Sequence, residues 1–388
     1  MESNRLRWEG ELNINKLLNI IKTKKSKDVP SVEEDFIIDT VIRDACLFKA
    51  SDIHLEPGKN YYRIRVRIDG KLHERVSGLM IHYQNMVNRI KYLANMNIAE
   101  KRAPQDGALR WSSPEVDIRI STMPMAYGEK CVIRILKSQD LSNDFNSLGI
   151  PQNVLTHFLQ ALRKDNGLIL VAGPTGSGKS TTLYTALHHL NNPQHNIITI
   201  EDPIEYMIQG INQMQIHQER SVTFSSALRS ILRQDPDIIM IGEIRDHETA
   251  DIAIRASLTG HKILSTLHTN NAVSALYRLL DMDIQPYLAV QGISAVVAQR
   301  LVRKVCTNCT GSGCDICLFT GYCGRTGVFE IITMDEAISQ HIMKRGTASE
   351  LTKMLKERGW LSMLDNAQIL LSKGVIDEQE YQELSYSI

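Results

Sequence analysis

The spacing of apolar residues changes along the chain and predicts two regions of different architecture. Residues 31–50 carry apolar side chains at helical spacing. Residues 61–69 alternate apolar and basic side chains, as expected of a strand with one buried face. The same reasoning predicts a helix at 80–98 and strands at 116–121 and 131–136. The first region is therefore predicted to be a compact α+β unit.

From Pro151 onward, short continuous apolar runs alternate with helical patterns. The runs that we interpret as strands are residues 167–172, 196–200, 237–241 and 261–267. Strands that are apolar on both faces and separated by helices are typical of a parallel sheet with helices on each side. Beyond residue 330 the pattern is helical to the end of the chain. The fold class that we predict for this region is α/β.

These patterns predict a short polar segment followed by two domains. The segment is lysine-rich, and we expect a short helix at 12–22 and then a linker. The predicted boundaries are 1–30 for this segment, 31–140 for the smaller α+β domain and 150–388 for the larger α/β domain. Within the larger domain we predict a cysteine-rich lobe at 303–325 and C-terminal helices at 331–388.

Charge and apolar content narrow the class of protein. The 388 residues include 44 Lys and Arg against 44 Asp and Glu, so the formal net charge is zero. A protein that mainly holds nucleic acid would usually have a basic surplus. The sequence has no run of about 18 apolar residues, and its N-terminus lacks the apolar core of a signal peptide. We therefore expect a cytoplasmic protein.

The strongest motif follows the predicted strand at 167–172. It has the pattern G-x-x-x-x-G-K-[ST] between a strand and a helix, the context that a phosphate-binding loop requires. Its glycines allow backbone N–H groups to surround phosphate oxygens, Lys179 supplies a charge for the β- and γ-phosphates, and the Ser180 hydroxyl is a ligand for Mg²⁺. The predicted nucleotide-binding residues are Gly173, Pro174, Thr175, Gly176, Ser177, Gly178, Lys179, Ser180 and Thr181.

Acidic residues follow two other predicted strands. Glu243 ends the run 237–243, where it would either polarise the attacking water or hold a metal-bound water. Glu201, Asp202 and Glu205 end the neighbouring strand, and three acids at one strand end are costly unless they face Mg²⁺, arginines or water. Ligands of parallel sheets bind at the carboxyl ends of strands, which favours a functional role for these side chains.

A histidine follows the strand at 261–267. His268 comes after this strand and His261 begins it. A single histidine is more often structural than catalytic, but a position at the carboxyl end of the strand favours His268 as a sensor of the γ-phosphate. The role of His261 stays open.

Four of the seven cysteines lie within twelve residues. Cys306, Cys309, Cys314 and Cys317 form C-x₂-C-x₄-C-x₂-C, which supplies the four thiolates of a closed tetrahedral zinc site. Iron–sulfur ligation is the alternative, although the spacing does not match the ferredoxin pattern. Cys323 is not an expected ligand.

Taken together, four motifs resemble those of the secretion superfamily ATPases, the motors of type II secretion and type IV pili. These motifs are GPTGSGKST, ITIEDPIE, LRQDPDIIMIGEIRD and TGHKILSTLHTN, and the resemblance covers about residues 33–388. SDIHLEP at 51–57 and YGEKCVIRIL at 127–136 resemble the family's N-terminal domain, which clamps nucleotide. Compared with relatives that carry a further N-terminal domain, the chain is similar to a short form such as a competence-pseudopilus motor.

The resemblance implies a RecA-like P-loop motor domain preceded by a smaller, PAS-like α+β domain. It implies Mg²⁺-dependent ATP hydrolysis by a homo-hexameric ring, with Glu243, Glu201 and His268 in the catalytic site and Zn²⁺ in the cysteine lobe. Arg119, and after it Arg134, are expected to neutralise charge on the γ-phosphate.

The implied partners are a polytopic inner-membrane platform protein and, indirectly, a prepilin or pseudopilin, with no direct contact to nucleic acid. The expected location is the cytoplasmic face of the inner membrane, held there through that partner. The sequence leaves open whether a pilus, a secretion system or DNA uptake is served.

Two alternatives belong to other functional classes. A DNA-handling or conjugation-type ATPase would be expected to carry a basic patch. A nucleotide-gated scaffold would bind ATP without turnover, and Glu243 argues against it because a protein that only binds has no need of an acid there.

Overall fold

The computed structural model of the protein describes residues 32–112, 114–136, 144–216 and 222–388. The chain divides into two compact units, Met1–Asp140 and Leu141–Ile388. The helix predicted at 12–22 lies outside the described residues. None of the helices in the described ranges combines the length and the apolar character needed to span a bilayer.

The described residues of the first unit form a six-stranded antiparallel sheet and two helices. Its strands are ordered β3-β2-β1-β6-β5-β4. The elements are α1 (Val32–Leu47), β1 (Asp52–Glu56), β2 (Tyr61–Ile68), β3 (Lys71–Leu79), α2 (Met80–Leu93), β4 (Gln105–Ser112), β5 (Glu115–Met125) and β6 (Gly128–Leu136). The prediction did not include β1, β3 or β4, because their apolar residues are few or irregularly spaced.

Alternation along the strands gives this sheet one apolar and one charged face. Ile64 and Val66 of β2 are buried in a core that includes residues of α1 and α2, whereas Arg63 and Arg65, which alternate with them, point the other way. On the charged face Glu56 forms ion pairs with Arg63, Arg65 and Lys130 at 2.7, 2.7 and 3.0 Å. Burial alone would raise the pKa of Glu56, but hydrogen bonds from these cations lower that pKa to about 2.

An ion pair lies in the interior of the first unit. The Lys91 Nζ atom is 2.7 Å from the Glu129 Oε1 atom, and the two side chains are 0% and 2% exposed. Lys91 also donates a hydrogen bond to the carbonyl oxygen of Glu100 at 2.6 Å. The pair joins α2 to β6. Removing one partner would leave the other charge buried without compensation.

The second unit is built on a seven-stranded sheet ordered β13-β12-β7-β11-β10-β8-β9. Its first half comprises α3 (Gln152–Arg163), β7 (Gly167–Ala172), α4 (Lys179–Leu190), β8 (Ile197–Glu201), β9 (Asn212–Gln215), α5 (Phe224–Ile231), β10 (Ile238–Ile241), α6 (His247–Leu258) and β11 (Lys262–Leu267). Its second half comprises α7 (Ala272–Asp281), α8 (Pro286–Gly292), β12 (Ile293–Val305), β13 (Tyr322–Thr333), α9 (Glu336–Met343), α10 (Ala348–Glu357), α11 (Met363–Ser372) and α12 (Glu378–Ser387).

Six strands of this sheet are parallel, and β13 pairs antiparallel with β12. Successive residues of β7 enter opposite cores: Leu168 and Leu170 belong to one apolar cluster, Ile169 and Val171 to another. A strand that is covered on both faces must be apolar throughout, which explains the run seen in the sequence. The predicted strands and the α/β fold class are therefore confirmed.

The end of the chain differs from the prediction in one respect. Helices were expected from residue 331, but β13 continues to Thr333 and the first helix begins at Glu336. The hairpin of β12 and β13 was missed because polar residues such as Gln299 and Arg303 interrupt its apolar pattern.

We predict that Lys91→Met destabilises the first unit by about 3–5 kcal/mol, because it leaves the Glu129 carboxylate buried without its counter-charge. Chemical denaturation measures the change in the free energy of unfolding. The double variant Lys91→Met/Glu129→Leu is expected to recover much of the loss.

A matched control is Arg110→Met, which breaks the ion pair of Arg110 with Glu115, both 68% exposed. This change is expected to cost less than about 1 kcal/mol. Equal effects of Lys91→Met and Arg110→Met would contradict the prediction.

Candidate nucleotide site and cysteine cluster

The phosphate loop begins where β7 ends. Ala172 is in register with Leu267, where β11 also ends, and with Ala298 of β12, which continues past this edge to Val305. Gly173 has φ +154°, and a Cβ atom there would lie 2.4 Å from the Ser177 Oγ atom and 2.6 Å from the Gln299 carbonyl oxygen. A side chain does not fit at this position. The loop therefore depends on glycine for its close approach to β12.

Lys179 begins helix α4 and is 8% exposed. Its Nζ atom donates hydrogen bonds to the carbonyl oxygens of Gly173 and Pro174, both at 2.9 Å. Burial lowers the pKa of the Lys179 ammonium to about 8, although the Glu243 carboxylate favours the charged form. Ser180, the next residue, is exposed in the first turn of the helix. An ammonium held among loop carbonyls with a hydroxyl beside it suits a phosphate group and its metal ion.

Gln299 and Arg300 of β12 lie beside this loop, and neither was predicted from the sequence. Gln299 is 1% exposed; its Nε2 atom donates to the Ser177 carbonyl oxygen at 2.6 Å, and its Oε1 atom accepts from the Thr182 hydroxyl at 2.7 Å. The charge of Arg300 contributes to lowering the pKa of Lys179. The available signal was a polar pair that directly follows the apolar run 295–298.

Glu243 lies just beyond β10, as predicted, and is 14% exposed. It forms an ion pair with Arg245, and its Oε2 atom is 3.2 Å from the His268 Nε2 atom. The structure thus brings Glu243 and His268 together from adjacent strands, β10 and β11. Arg245 was not predicted, although it lies two residues after Glu243 in the same motif. His261 lies at the opposite end of β11, where its Nδ1 atom is 3.1 Å from the Ala256 carbonyl oxygen.

Glu201 ends β8, and its carboxylate is bound within the protein. Tyr184 donates a hydrogen bond to one oxygen, and Thr199 and Gln213 donate to the other at 2.6 and 3.0 Å. Glu201 is 4% exposed, whereas Asp202 and Glu205 are exposed. The catalytic role expected for Glu201 stays a prediction, and its contacts favour a different role that is developed below.

The two predicted arginines belong to the first unit. Arg119 of β5 and Arg134 of β6 are partners in the antiparallel register. The Arg134 Nε atom donates to an oxygen of Asp52 at 3.0 Å. Both side chains therefore lie in one part of the sheet, and Asp52 fixes the position of the second. Their role in charge neutralisation remains a prediction.

The four predicted cysteines form a compact cluster. Their Sγ atoms lie within 4.8 Å of one another. Three of the separations are 3.9 Å for Cys306–Cys314, 3.7 Å for Cys309–Cys317 and 3.8 Å for Cys314–Cys317. Four sulfur atoms at about 2.3 Å from a central ion in a tetrahedron are about 3.8 Å apart. The arrangement fits a zinc ion.

Hydrogen bonds to the sulfur atoms also favour the binding of a metal ion. The backbone N–H of Cys317 and the Asn308 side chain lower the pKa of Cys314 to about 6. The N–H of Gly313 donates to the Cys309 Sγ atom at 3.2 Å. Such donors stabilise thiolates, the form that binds metal. Cys323 is exposed and is not a member of the cluster.

Comparison with known proteins agrees with the geometry. Residues 25–383 match the family model described as type II/IV secretion system protein. The chain belongs to this family. It is accordingly an ATPase, and its nucleotide is ATP.

Curated relatives of this secretion-family ATPase extend over most of its length. The type II secretion system protein HxcR of Pseudomonas aeruginosa is 44% identical over 348 residues, which cover 87% of this chain and 74% of the relative. The type II secretion system protein E of Dickeya dadantii is 43% identical over 347 residues, covering 83% and 70%. The type II secretion system ATPase E of Vibrio cholerae is 42% identical over 356 residues, covering 85% and 70%.

Solved structures share the fold of this ATPase. The pilus retraction motor PilT with bound ADP superimposes with a TM-score of 0.66 at 28% identity, covering 89% of this chain and 96% of that one. The Legionella pneumophila ATPase DotB superimposes with a TM-score of 0.71 at 21% identity, covering 95% and 99%. The second likeness concerns the fold alone. Together they confirm the predicted RecA-like motor architecture.

We predict that Glu243→Gln preserves ATP binding but lowers the rate of hydrolysis by roughly 10²-fold or more, because the substitution removes the carboxylate that would polarise water. Phosphate release and binding of a fluorescent ATP analogue measure the two quantities separately.

Glu357→Gln is the control, because Glu357 is an exposed acid at the end of α10. It should hydrolyse ATP at the wild-type rate. Wild-type turnover by Glu243→Gln would rule out the role assigned to this acid.

Proposed function

We propose that this ATPase powers the assembly of a type IV pilus, or of a type II secretion or competence pseudopilus. The observation that carries the proposal is the convergence of Lys179, Glu243 and His268 at one edge of a parallel sheet, in a chain of the type II/IV secretion family. A phosphate loop alone would suit many nucleotide-binding proteins. An acid paired with a histidine beside that loop suits hydrolysis.

Each residue of the site would have its own role in hydrolysis. Lys179 would hold the β- and γ-phosphates, and Ser180 would hold a Mg²⁺ ion that neutralises charge on the phosphate oxygens. Glu243 would orient the attacking water. His268, within hydrogen-bonding distance of Glu243, would register the presence of the γ-phosphate. Arg245 also pairs with Glu243 and would set the orientation of its carboxylate.

Further elements of the proposal depend on the resemblance of the motifs. Arg119 and Arg134 would supply positive charge for the γ-phosphate during hydrolysis. The active form would be a homo-hexamer. Its partner would be a polytopic inner-membrane platform protein that holds the motor at the cytoplasmic face of the membrane and transmits motion to a prepilin or pseudopilin.

The rival functions have less support. A binding-only scaffold has no use for a carboxylate such as Glu243 beside the phosphate loop. A DNA-handling motor would be favoured by a basic surplus, but the formal net charge of the chain is zero. The assembly of a protein fibre therefore fits the molecule best.

The function can be tested by genetic replacement in the organism that carries the gene. Deletion should abolish surface pili, secretion through the pseudopilus or DNA uptake. Re-expression of the wild type should restore the lost activity, and Glu243→Gln should fail to do so because the motor cannot turn over. Electron microscopy of fibres and assays of secretion and transformation provide the readout. A deletion strain with all three activities intact would refute the proposal.

Zinc is the proposed occupant of the cysteine cluster, and its role would be structural. The surrounding lobe has few buried apolar residues, and Ile316 and Phe319 are 59% and 73% exposed. Packing contributes little to such a segment, so a bound metal would supply folding free energy. The lobe would then present a fixed surface to the membrane platform.

We predict about one zinc atom per chain in protein purified without chelator, and its loss in the Cys306→Ser/Cys309→Ser double variant. Elemental analysis measures the metal. ATP hydrolysis is expected to persist in this variant while fibre assembly stops.

Cys323→Ser is the matched control, because this thiol is exposed and outside the cluster. It should keep both zinc and assembly. Less than about a tenth of an equivalent of zinc in the wild type would mean that there is no native site. Persistence of both hydrolysis and assembly in the double variant would refute the proposed role of the lobe.

A further inference from the structure

Both oxygens of the Glu201 carboxylate accept hydrogen bonds from neighbours inside the motor unit. Tyr184 of α4 donates to Oε2, and Thr199 of β8 and Gln213 of β9 donate to Oε1. A general base must have an oxygen directed at the water that it activates. Glu201 would have to break these hydrogen bonds to reach water or nucleotide. Its geometry is that of a structural acceptor.

The same group of side chains also holds the loop that follows Glu201. The N–H of Glu205 donates to the Tyr184 hydroxyl oxygen at 3.3 Å. The Gln213 side chain accepts from the N–H of Ile208 at 2.6 Å and donates to the carbonyl oxygen of Tyr206 at 3.1 Å. Loop 202–211 is therefore fastened to α4 and β9 through the partners of Glu201.

This loop carries the two exposed acids that the sequence placed beside Glu201. The hydrogen bond of Arg245 to Glu243 is the main cause that raises the pKa of this guanidinium, and the charge of Asp202 makes a smaller contribution in the same direction. Asp202 is therefore near the pair formed by Glu243 and Arg245. Glu205 is attached by its own backbone to Tyr184.

Helix α4 provides the connection to the phosphate loop. It begins at Lys179, and Tyr184 follows Ser180 by four residues, so the two side chains lie on the same side of the helix. Tyr184 is 2% exposed and Glu201 4% exposed. A buried hydrogen bond between them fixes the distance between this helix and the end of β8.

We propose that Tyr184 and Glu201 are positioning residues that hold Asp202 and Glu205 in place relative to the phosphate loop, and that Glu201 does not act on the nucleotide itself. The inference rests on the proposed function, since it takes the group around Glu243 as the hydrolytic site. It leaves contact with the metal ion to the exposed acids of the loop and orientation of the attacking water to Glu243.

Tyr184→Phe tests the inference by removing one hydroxyl. The rate constant kcat is expected to fall about tenfold or more, because small misplacements of catalytic groups are costly. KM for ATP and the affinity for a fluorescent ATP analogue should stay within about twofold, since the phosphate loop is unchanged.

The matched control is Tyr206→Phe. The rings of Tyr184 and Tyr206 are 4.5 Å apart, and among the described residues the buried hydroxyl of Tyr206 has no partner. Removing it should leave kcat within about twofold of wild type. Equal losses in the two variants would attribute the effect to packing and overturn the inference.

Substitutions of Glu201 separate positioning from base catalysis. Glu201→Gln keeps an acceptor for Thr199 and Gln213 and a polar group for Tyr184, so kcat should stay within about fivefold of wild type. Glu201→Ala removes all of these hydrogen bonds, so most of the hydrolytic activity should be lost. A general base would lose roughly 10²-fold with either substitution. That result for Glu201→Gln would overturn the inference.

A double-mutant cycle gives the final test. If Tyr184 acts by placing Glu205, then Glu205→Gln should lower kcat less in the Tyr184→Phe background than in the wild type. Multiplicative losses would overturn the inference while leaving the proposed function intact. Absence of ATP hydrolysis by the wild-type protein would instead refute the proposed function, so the two failures are distinguishable.

Discussion

The parallel pairing of β7 with β11 and β12 is the constraint on which the candidate site depends. Ala172 ends β7 in register with Leu267, where β11 ends, and with Ala298 of β12, which continues to Val305. The next residues of the chain at these three positions, Gly173, His268 and Gln299, therefore lie beside one another at the carboxyl end of β7. Side chains alternate between the two faces of a strand. A shift of one residue in either pairing would therefore turn side chains of the core toward the site and side chains of the site toward the core. The chemistry at this edge is thus a consequence of strand register.

Helix α4 is fixed on two sides by buried hydrogen bonds. Thr182 donates to Gln299 of β12, and Tyr184 donates to Glu201 of β8. Polar networks of this kind are favourable only when their members are satisfied, and then they specify a single arrangement. The helix carries Lys179 at its first position. The phosphate-binding group is therefore positioned by contacts with strands on opposite sides of β7 in the sheet.

In the first unit, charged side chains are concentrated on one face of the sheet. Its antiparallel sheet has one apolar face and one face where Glu56 and Asp52 lie among arginines and Lys130. The zero net charge of the whole chain conceals this concentration of cations, since composition averages over all surfaces. The two acids hold arginine side chains in defined positions. Long flexible cations would otherwise lose considerable entropy on engaging an anionic partner.

The sequence by itself determined the phosphate loop, the strand-end positions of Glu243 and His268, and the cysteine cluster. Each depends on neighbours close in sequence or on the rule that ligands bind at the carboxyl ends of parallel strands. Only the tertiary structure decided that Gln299 supports the phosphate loop and that Tyr184 engages Glu201. These contacts join residues 122 and 17 positions apart in the chain. They arise from strand order and register, which local periodicity does not specify.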